Sequence, residues 1–162
     1  EEICRLKKID TKKKALSIAC ASLSLVSEYC KMNDRAFKFI KDHEVNYTFI
    51  LPASGALPRI FKQRREVGVR LAQHPIGRLL AEYLGNPLIT SSLPIEDEDE
   101  PEYCTNPELI DERYGNAVYT ILDAGDIPLA PSTIVDCTEE PFEVLRYGHG
   151  RLADEEPLLK KD

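Results

Sequence analysis

The residues able to carry chemistry are scattered along this chain of 162 residues. Five cysteines (Cys4, Cys20, Cys30, Cys104, Cys137) form no Cys-x-x-Cys pair, and no histidine stands near them at metal-ligand spacing. That pattern argues against a structural zinc site or a disulfide scaffold and fits thiols kept reduced in a cytoplasm. Cys20 lies in an apolar run and reads as a small buried hydrophobe, not a nucleophile. His43, His74 and His149 are far apart; His74 precedes Pro75 and reads as a helix start, and His149 in Tyr-Gly-His-Gly reads as a turn. Six acids (Glu96, Asp97, Glu98, Asp99, Glu100, Glu102) crowd one stretch. Consecutive carboxylates without ligand spacing describe a solvated loop better than a metal site. The sequence has no Gly-x-x-x-x-Gly-Lys-Ser/Thr, no Gly-x-Gly-x-x-Gly and no Gly-x-Ser-x-Gly. Any nucleotide would be held without the common phosphate loops, and a nucleophile-elbow hydrolase is set aside.

Charge narrows the field further. The net charge is −7, from 28 acids and 21 bases, and outside the acidic stretch the chain is nearly neutral. No broad basic face follows, which weakens non-specific nucleic-acid binding. With 43% hydrophobic and 30% charged residues the composition is that of a folded globule. The longest weakly polar stretch, Ala15 to Ser27, is broken by serines and too short for a membrane span.

These residues must be positioned by short elements. Glu1 to Leu6 reads as the last turns of a helix already under way, so the expectation is a native chain that begins earlier. Leu16–Cys20, Asn46–Leu51, Glu66–Leu71 and Pro87–Ser91 read as strands from their β-branched and alternating residues. Gly68 inside the third of these signals a close approach of backbone or ligand. Helices are expected over Ser24–Tyr29, Asp34–Lys41 and Leu57–Gln63. The clearest helix runs from His74-Pro75 to Leu84, with Ile76, Leu79, Leu80, Tyr83 and Leu84 at helical spacing and Gly85 as its stop. Another opens at Asn106-Pro107-Glu108 and closes at Gly115. Three more strands are expected, at Ala117–Leu122, Ser132–Asp136 and Phe142–Tyr147. The pattern favours one mixed-sheet α/β (or α+β) domain over residues 1–150, followed by a tail at 151–162. Its expected core sets the 74–84 helix on the central strands, with Leu80 buried and Arg70 and Ser91 at neighbouring strand ends.

Five segments match a known pattern in order. They are Lys7 to Leu16 followed by Ser17-Ile18-Ala19-Cys20; Asn46 to Leu51; Val67-Gly68-Val69-Arg70 with His74-Pro75; Leu84 to Ser91; and Pro131 to Asp136 with Leu145-Arg146-Tyr147-Gly148. Together the chain resembles the YrdC/YciO family, most closely its YciO branch. The resemblance implies a YrdC-like twisted, mixed open sheet with helices packed around it. It also implies a relation to enzymes that make threonylcarbamoyl-adenylate from ATP, threonine and bicarbonate, for threonylcarbamoyl modification of adenosine in transfer RNA.

The site implied by that resemblance comprises Lys7, Arg70, Ser91, Ser132 and Arg146, set around the phosphates and substrate of a nucleotide, with late strands returning Ser132 and Arg146 to the concavity of Arg70. Guanidinium forks and short hydroxyls suit such a ligand. Mg²⁺ would accompany the ATP, and catalysis would consist of positioning and charge stabilisation. Two departures stand out. Ile9 occupies the arginine position of the synthase branch's Lys-x-Arg, and Leu93 the asparagine position of its Ser-x-Asn. The Pro-Thr-(Asp/Glu)-Thr turn of the family would lie before residue 1. Three functions are therefore in play: an ATP-dependent adenylate-forming enzyme, a double-stranded RNA-binding module of the same fold, and an inactive structural relative.

Overall fold

The computed structural model describes residues 2–8, 16–61, 64–93, 101–129 and 131–152. In chain order its helices and strands are α1 (Glu2–Leu6), β1 (Ser17–Cys20), α2 (Leu23–Tyr29), α3 (Asp34–Asp42), β2 (Tyr47–Pro52), β3 (Glu66–Leu71), α4 (Pro75–Leu84), β4 (Leu88–Thr90), α5 (Pro107–Tyr114), β5 (Thr133–Asp136) and β6 (Glu143–Arg146). They fall into two compact units, one of residues 1–10 and 91–130, the other of residues 11–90 and 131–162.

Local chemistry explains the helix boundaries. Each N-cap side chain accepts a backbone N–H of the first turn: Ser22 from Leu25, Asn33 from Ala36, His74 from Ile76, and Asn106 from Glu108 and Leu109. Such caps satisfy donors that the helix itself leaves open. Gly85 ends α4 in the left-handed conformation at φ 63°, which costs glycine nothing.

The larger unit is built on a six-stranded mixed open sheet in the order β4-β1-β3-β2-β5-β6. The β1/β3 and β2/β5 pairs are parallel and the other three antiparallel. Alternation sorts the side chains onto two faces. Ile18, Phe49, Leu51, Val67, Val69 and Val135 share one face and are fully buried, together with Val26, Phe39 and Ile40 of the helices and Phe142. Phe39 meets Phe49 and Phe142 edge-on, at centroid distances of 6.1 and 5.3 Å. The other face carries Ser17, Thr48, Gly68, Arg70 and Ser132 beside Ala19, Ile50 and Ile134. It is the more polar face.

Three expectations change. The stretch from Ala117 to Leu122 forms no strand: a 3₁₀ turn over Gly115–Ala117 leads into irregular chain. Its inward residues, Val118 and Ile121, are three apart, Tyr119 is fully exposed, and no neighbouring strand pairs with it among the described residues. Of the helix expected at Leu57–Gln63, the described residues form a 3₁₀ turn at Arg59–Phe61, and residues 62 and 63 lie outside them. The third change concerns α4. Its ends are as expected, yet Leu80 is 42% exposed and Ala81 is its only buried residue. Gly77, one turn before Ala81, would bring a Cβ to 3.9 Å from the Ala72 Cβ. The helix seats on its small face, and Ile76, Leu79, Leu80, Tyr83 and Leu84 stay exposed. β4 is moreover an edge strand separated from β3 by β1, so Arg70 and the residue following β4 are not on adjacent strands.

Candidate functional site

The five expected site residues divide between the units. Arg70 is the penultimate residue of β3, Ser132 stands just before β5, and Arg146 closes β6. These three converge. Arg70 Nη2 donates to Thr48 Oγ1 at 3.0 Å and to Ser132 Oγ at 3.4 Å. From the other side Arg146 donates through Nε and Nη2 to the Ser132 carbonyl at 3.1 and 2.8 Å, and through Nη2 to Ser132 Oγ at 3.3 Å. Thr48 Oγ1 and Ser132 Oγ are 2.8 Å apart.

Two guanidiniums thus share one serine hydroxyl, and among the described residues no carboxylate is paired with either. Among the described residues the ion pairs are Arg5–Glu2, Arg35–Glu140 and Arg78–Glu82. Burial, and secondarily the charge of Arg146, pull the Arg70 pKa below the ordinary arginine value. Arg70 Nε is buried without a hydrogen-bond partner, an unmet donor in a position where such donors are normally paired. The arrangement disfavours its own charge.

The surrounding chain holds Ser132 in place. Thr133 Oγ1 donates to the Gly150 carbonyl at 2.7 Å and accepts from Gly148 N at 2.9 Å. A Cβ at Gly148 would lie 2.2 Å from the Pro131 carbonyl oxygen, so glycine alone permits this approach. Thr48 was not among the expected site residues. Its signal is parity: it is the buried hydroxyl between Tyr47 and Phe49, pointing opposite to both. Gly68 is packed by side chains, a Cβ there falling 3.3 Å from Ser17 Cβ and 3.5 Å from Thr48 Cγ2.

Lys7 and Ser91 meet in the smaller unit. Lys7 Nζ donates to Ser91 Oγ at 2.7 Å and to the Ser92 carbonyl at 2.6 Å. Leu93 follows, 38% exposed. Ile9 and the acids from 96 to 100 lie outside the described residues, as does the tail from 153. His74 serves as the α4 cap. Cys20, Cys30 and Cys137 are buried, and burial pushes each thiol up to about 12, far from a nucleophile's range. No helix among the described residues is long and apolar enough to cross a membrane.

Comparison with known proteins agrees with this architecture. The chain is 32% identical over 162 residues to YciO of Escherichia coli strain K12, a match covering 98% of this chain and 76% of that protein. The crystal structure of E. coli YciO superposes with a TM-score of 0.82 at 31% identity, over 98% of this chain and 75% of that one. The structure of P. abyssi Sua5 complexed with L-threonine gives a TM-score of 0.75 at 25% identity, over 90% of this chain and 43% of that one. The family model Sua5_yciO_yrdC, described as telomere recombination, matches residues 1–148. The chain belongs to the Sua5/YciO/YrdC family.

Proposed function

We propose that this chain binds a phosphate-bearing ligand, ATP foremost, on the polar face of its sheet at Arg70, Arg146, Ser132 and Thr48. One observation carries the reading: two guanidiniums converge on a single serine hydroxyl, and among the described residues no carboxylate neutralises them. Guanidinium forks match phosphate oxygens in pairs, and a partly buried setting strengthens each contact. The hydroxyls of Ser132 and Thr48 are short, stiff donors for the remaining oxygens. Within the smaller unit Lys7 and Ser91, bonded to each other at 2.7 Å, are proposed as a polar ligand contact of their own. The cluster offers cations and hydroxyls, not carboxylates, so Mg²⁺ would be held by the phosphates it accompanies. No histidine or carboxylate is bonded to the cluster among the described residues, and its work is binding and charge stabilisation, not proton transfer.

Kinship with Sua5, of which one structure is a complex with L-threonine, makes threonine and bicarbonate the candidate co-substrates and transfer-RNA modification the candidate setting. Double-stranded RNA is the weaker reading. A duplex rewards many spread phosphate contacts, whereas this site holds two arginines in a chain of net charge −7.

Calorimetric titration with ATP and with pyrophosphate tests the proposal. The unchanged chain should bind both with 1:1 stoichiometry. Arg146→Met, at an exposed position, should weaken both by about ten- to a hundredfold, since a charged hydrogen bond contributes about 1.5–3 kcal/mol. No binding by the unchanged chain, or undiminished binding by the variant, overturns it.

A further inference from the structure

The apolar row of α4 takes no part in the phosphate-binding reading. Ile76, Leu79, Leu80, Tyr83 and Leu84 recur at i, i+3, i+4, i+7 and i+8, the spacing of one helix face, yet each is between 37% and 89% exposed. A folded unit turns such a face inward, and here that seat is taken by Gly77 and Ala81 instead. Tyr83, at 89%, opens most of a side chain of about 150–250 Å². The five together open on the order of 500 Å², near the top of the ~300–600 Å² reached by the largest apolar patch of a monomer. Arg78 and Glu82 lie on one flank of the row, one of each sign, paired at 2.9 Å and both exposed.

We propose that this row is the contact face of a homodimer, in which α4 of one copy packs antiparallel on α4 of a second about a twofold axis at Leu80. Register, charge and area select a second copy. A twofold at Leu80 sets Leu80 against itself and Ile76 level with Leu84 of the other copy, so hydrocarbon meets hydrocarbon along the row. The same operation keeps the charged flanks of the two helices on one side. It sets Arg78 level with Glu82 of the other copy, so opposite charges face each other twice. An isologous contact covers the patch on both copies, on the order of 1,000 Å² in all, which reaches the lower bound of a specific interface. A contact of that size makes a reversible dimer with a Kd in the micromolar range. Arg70, Ser132 and Arg146 lie outside α4, and the inference goes beyond the phosphate-binding reading.

Sedimentation velocity of the full chain over a concentration series tests it. The mass should rise reversibly from 18.3 kDa to twice that value and stop there. Tyr83→Ser and Leu79→Ser should each weaken the dimer about tenfold or more, since each removes a large apolar side chain from both sides of the contact. Both positions are exposed, which keeps the fold out of the comparison, and circular dichroism of the dilute variants verifies it. Arg78→Glu should weaken the dimer about threefold, and Glu82→Arg added to it should restore the affinity. Tyr119→Ser, at a fully exposed position in the smaller unit, should leave the affinity unchanged. A chain that stays at monomer mass overturns the proposal, as does growth past the dimer. So does a dimer that Tyr83→Ser leaves intact, one that Tyr119→Ser weakens as much, or an Arg78→Glu loss that Glu82→Arg deepens. The masses are read without a phosphate-bearing ligand, so this result and the pyrophosphate titration succeed or fail independently.

Discussion

Replacing Arg70 by methionine separates what the arginine does for the fold from what it does for a ligand. Methionine keeps most of the reach and removes the charge and the donors. In the resting protein Arg70 gives one good hydrogen bond, to Thr48 at 3.0 Å, and one long one, to Ser132 at 3.4 Å. Losing them orphans neither hydroxyl, because Thr48 and Ser132 remain bonded at 2.8 Å and Arg146 still donates to Ser132. The loss, about 1.5–3 kcal/mol for a strong charged bond, is opposed by release of a partly buried cation whose charged neighbour is another cation. The expected change in resting stability is therefore within about 1 kcal/mol of zero, or a melting shift of no more than about 2–4 °C for a chain of this size.

The ligand-bound comparison is far less balanced. Pyrophosphate at a hundred times its Kd stabilises the folded state by about 2.7 kcal/mol, which raises the melting temperature by about 5–10 °C. Removing a forked contact of about 3 kcal/mol weakens binding roughly a hundredfold. At the same pyrophosphate concentration only about 0.4 kcal/mol then remains, a shift of about 1 °C. Thermal melts of both proteins with and without pyrophosphate measure all four states. If the variant loses about 3 kcal/mol or more at rest yet keeps the full pyrophosphate shift, Arg70 is a structural strut and the reasoning fails.

Other expectations follow from burial. Leu80→Ala should cost less than about 1 kcal/mol because Leu80 is 42% exposed, whereas Ala81→Leu, at a position with no exposure, should cost about 1–3 kcal/mol by overpacking; chemical denaturation ranks the two, and the reverse order would show that α4 packs on its apolar row. Cys20, Cys30 and Cys137 hold their protons up to about 12 when folded against 9.0 as the reference, so between those limits the unfolded chain binds fewer protons and stability falls as pH rises, by about 1.4 kcal/mol per pH unit for each thiol. Denaturation midpoints should be insensitive to these thiols below pH 9.0 and fall more steeply above it than in Cys137→Ala; equal slopes would contradict it. With ATP, threonine and bicarbonate the chain should form no threonylcarbamoyl-adenylate above background, since Ile9 and Leu93 stand in the sequence where the resemblance implies arginine and asparagine in the synthase branch, and a lost polar contact costs about ten- to a hundredfold; robust turnover measured by radiolabelled product would refute this.

Much of the architecture is legible from neighbouring residues alone. Pro75 and Gly85 bracket α4, and alternation delimits Glu66–Leu71, because caps and strand parity depend on groups a few residues apart. The YrdC/YciO resemblance likewise rests on short segments in order, and it named Arg70, Ser132 and Arg146 without showing how they touch. Tertiary structure decided the rest. Ala117–Leu122 has the β-branched and aromatic residues of a strand, but a strand needs a partner, and no sequence window contains one. Helical periodicity marks the apolar row of α4, yet a helix packs where the surfaces fit most closely, and here the small face of Gly77 and Ala81 does so. Ser132 meets Arg70 across 62 residues and Thr48 across 84. Sheet order determines which distant side chains share a face, and through it the tertiary structure gathered isolated polar residues into one cationic cluster.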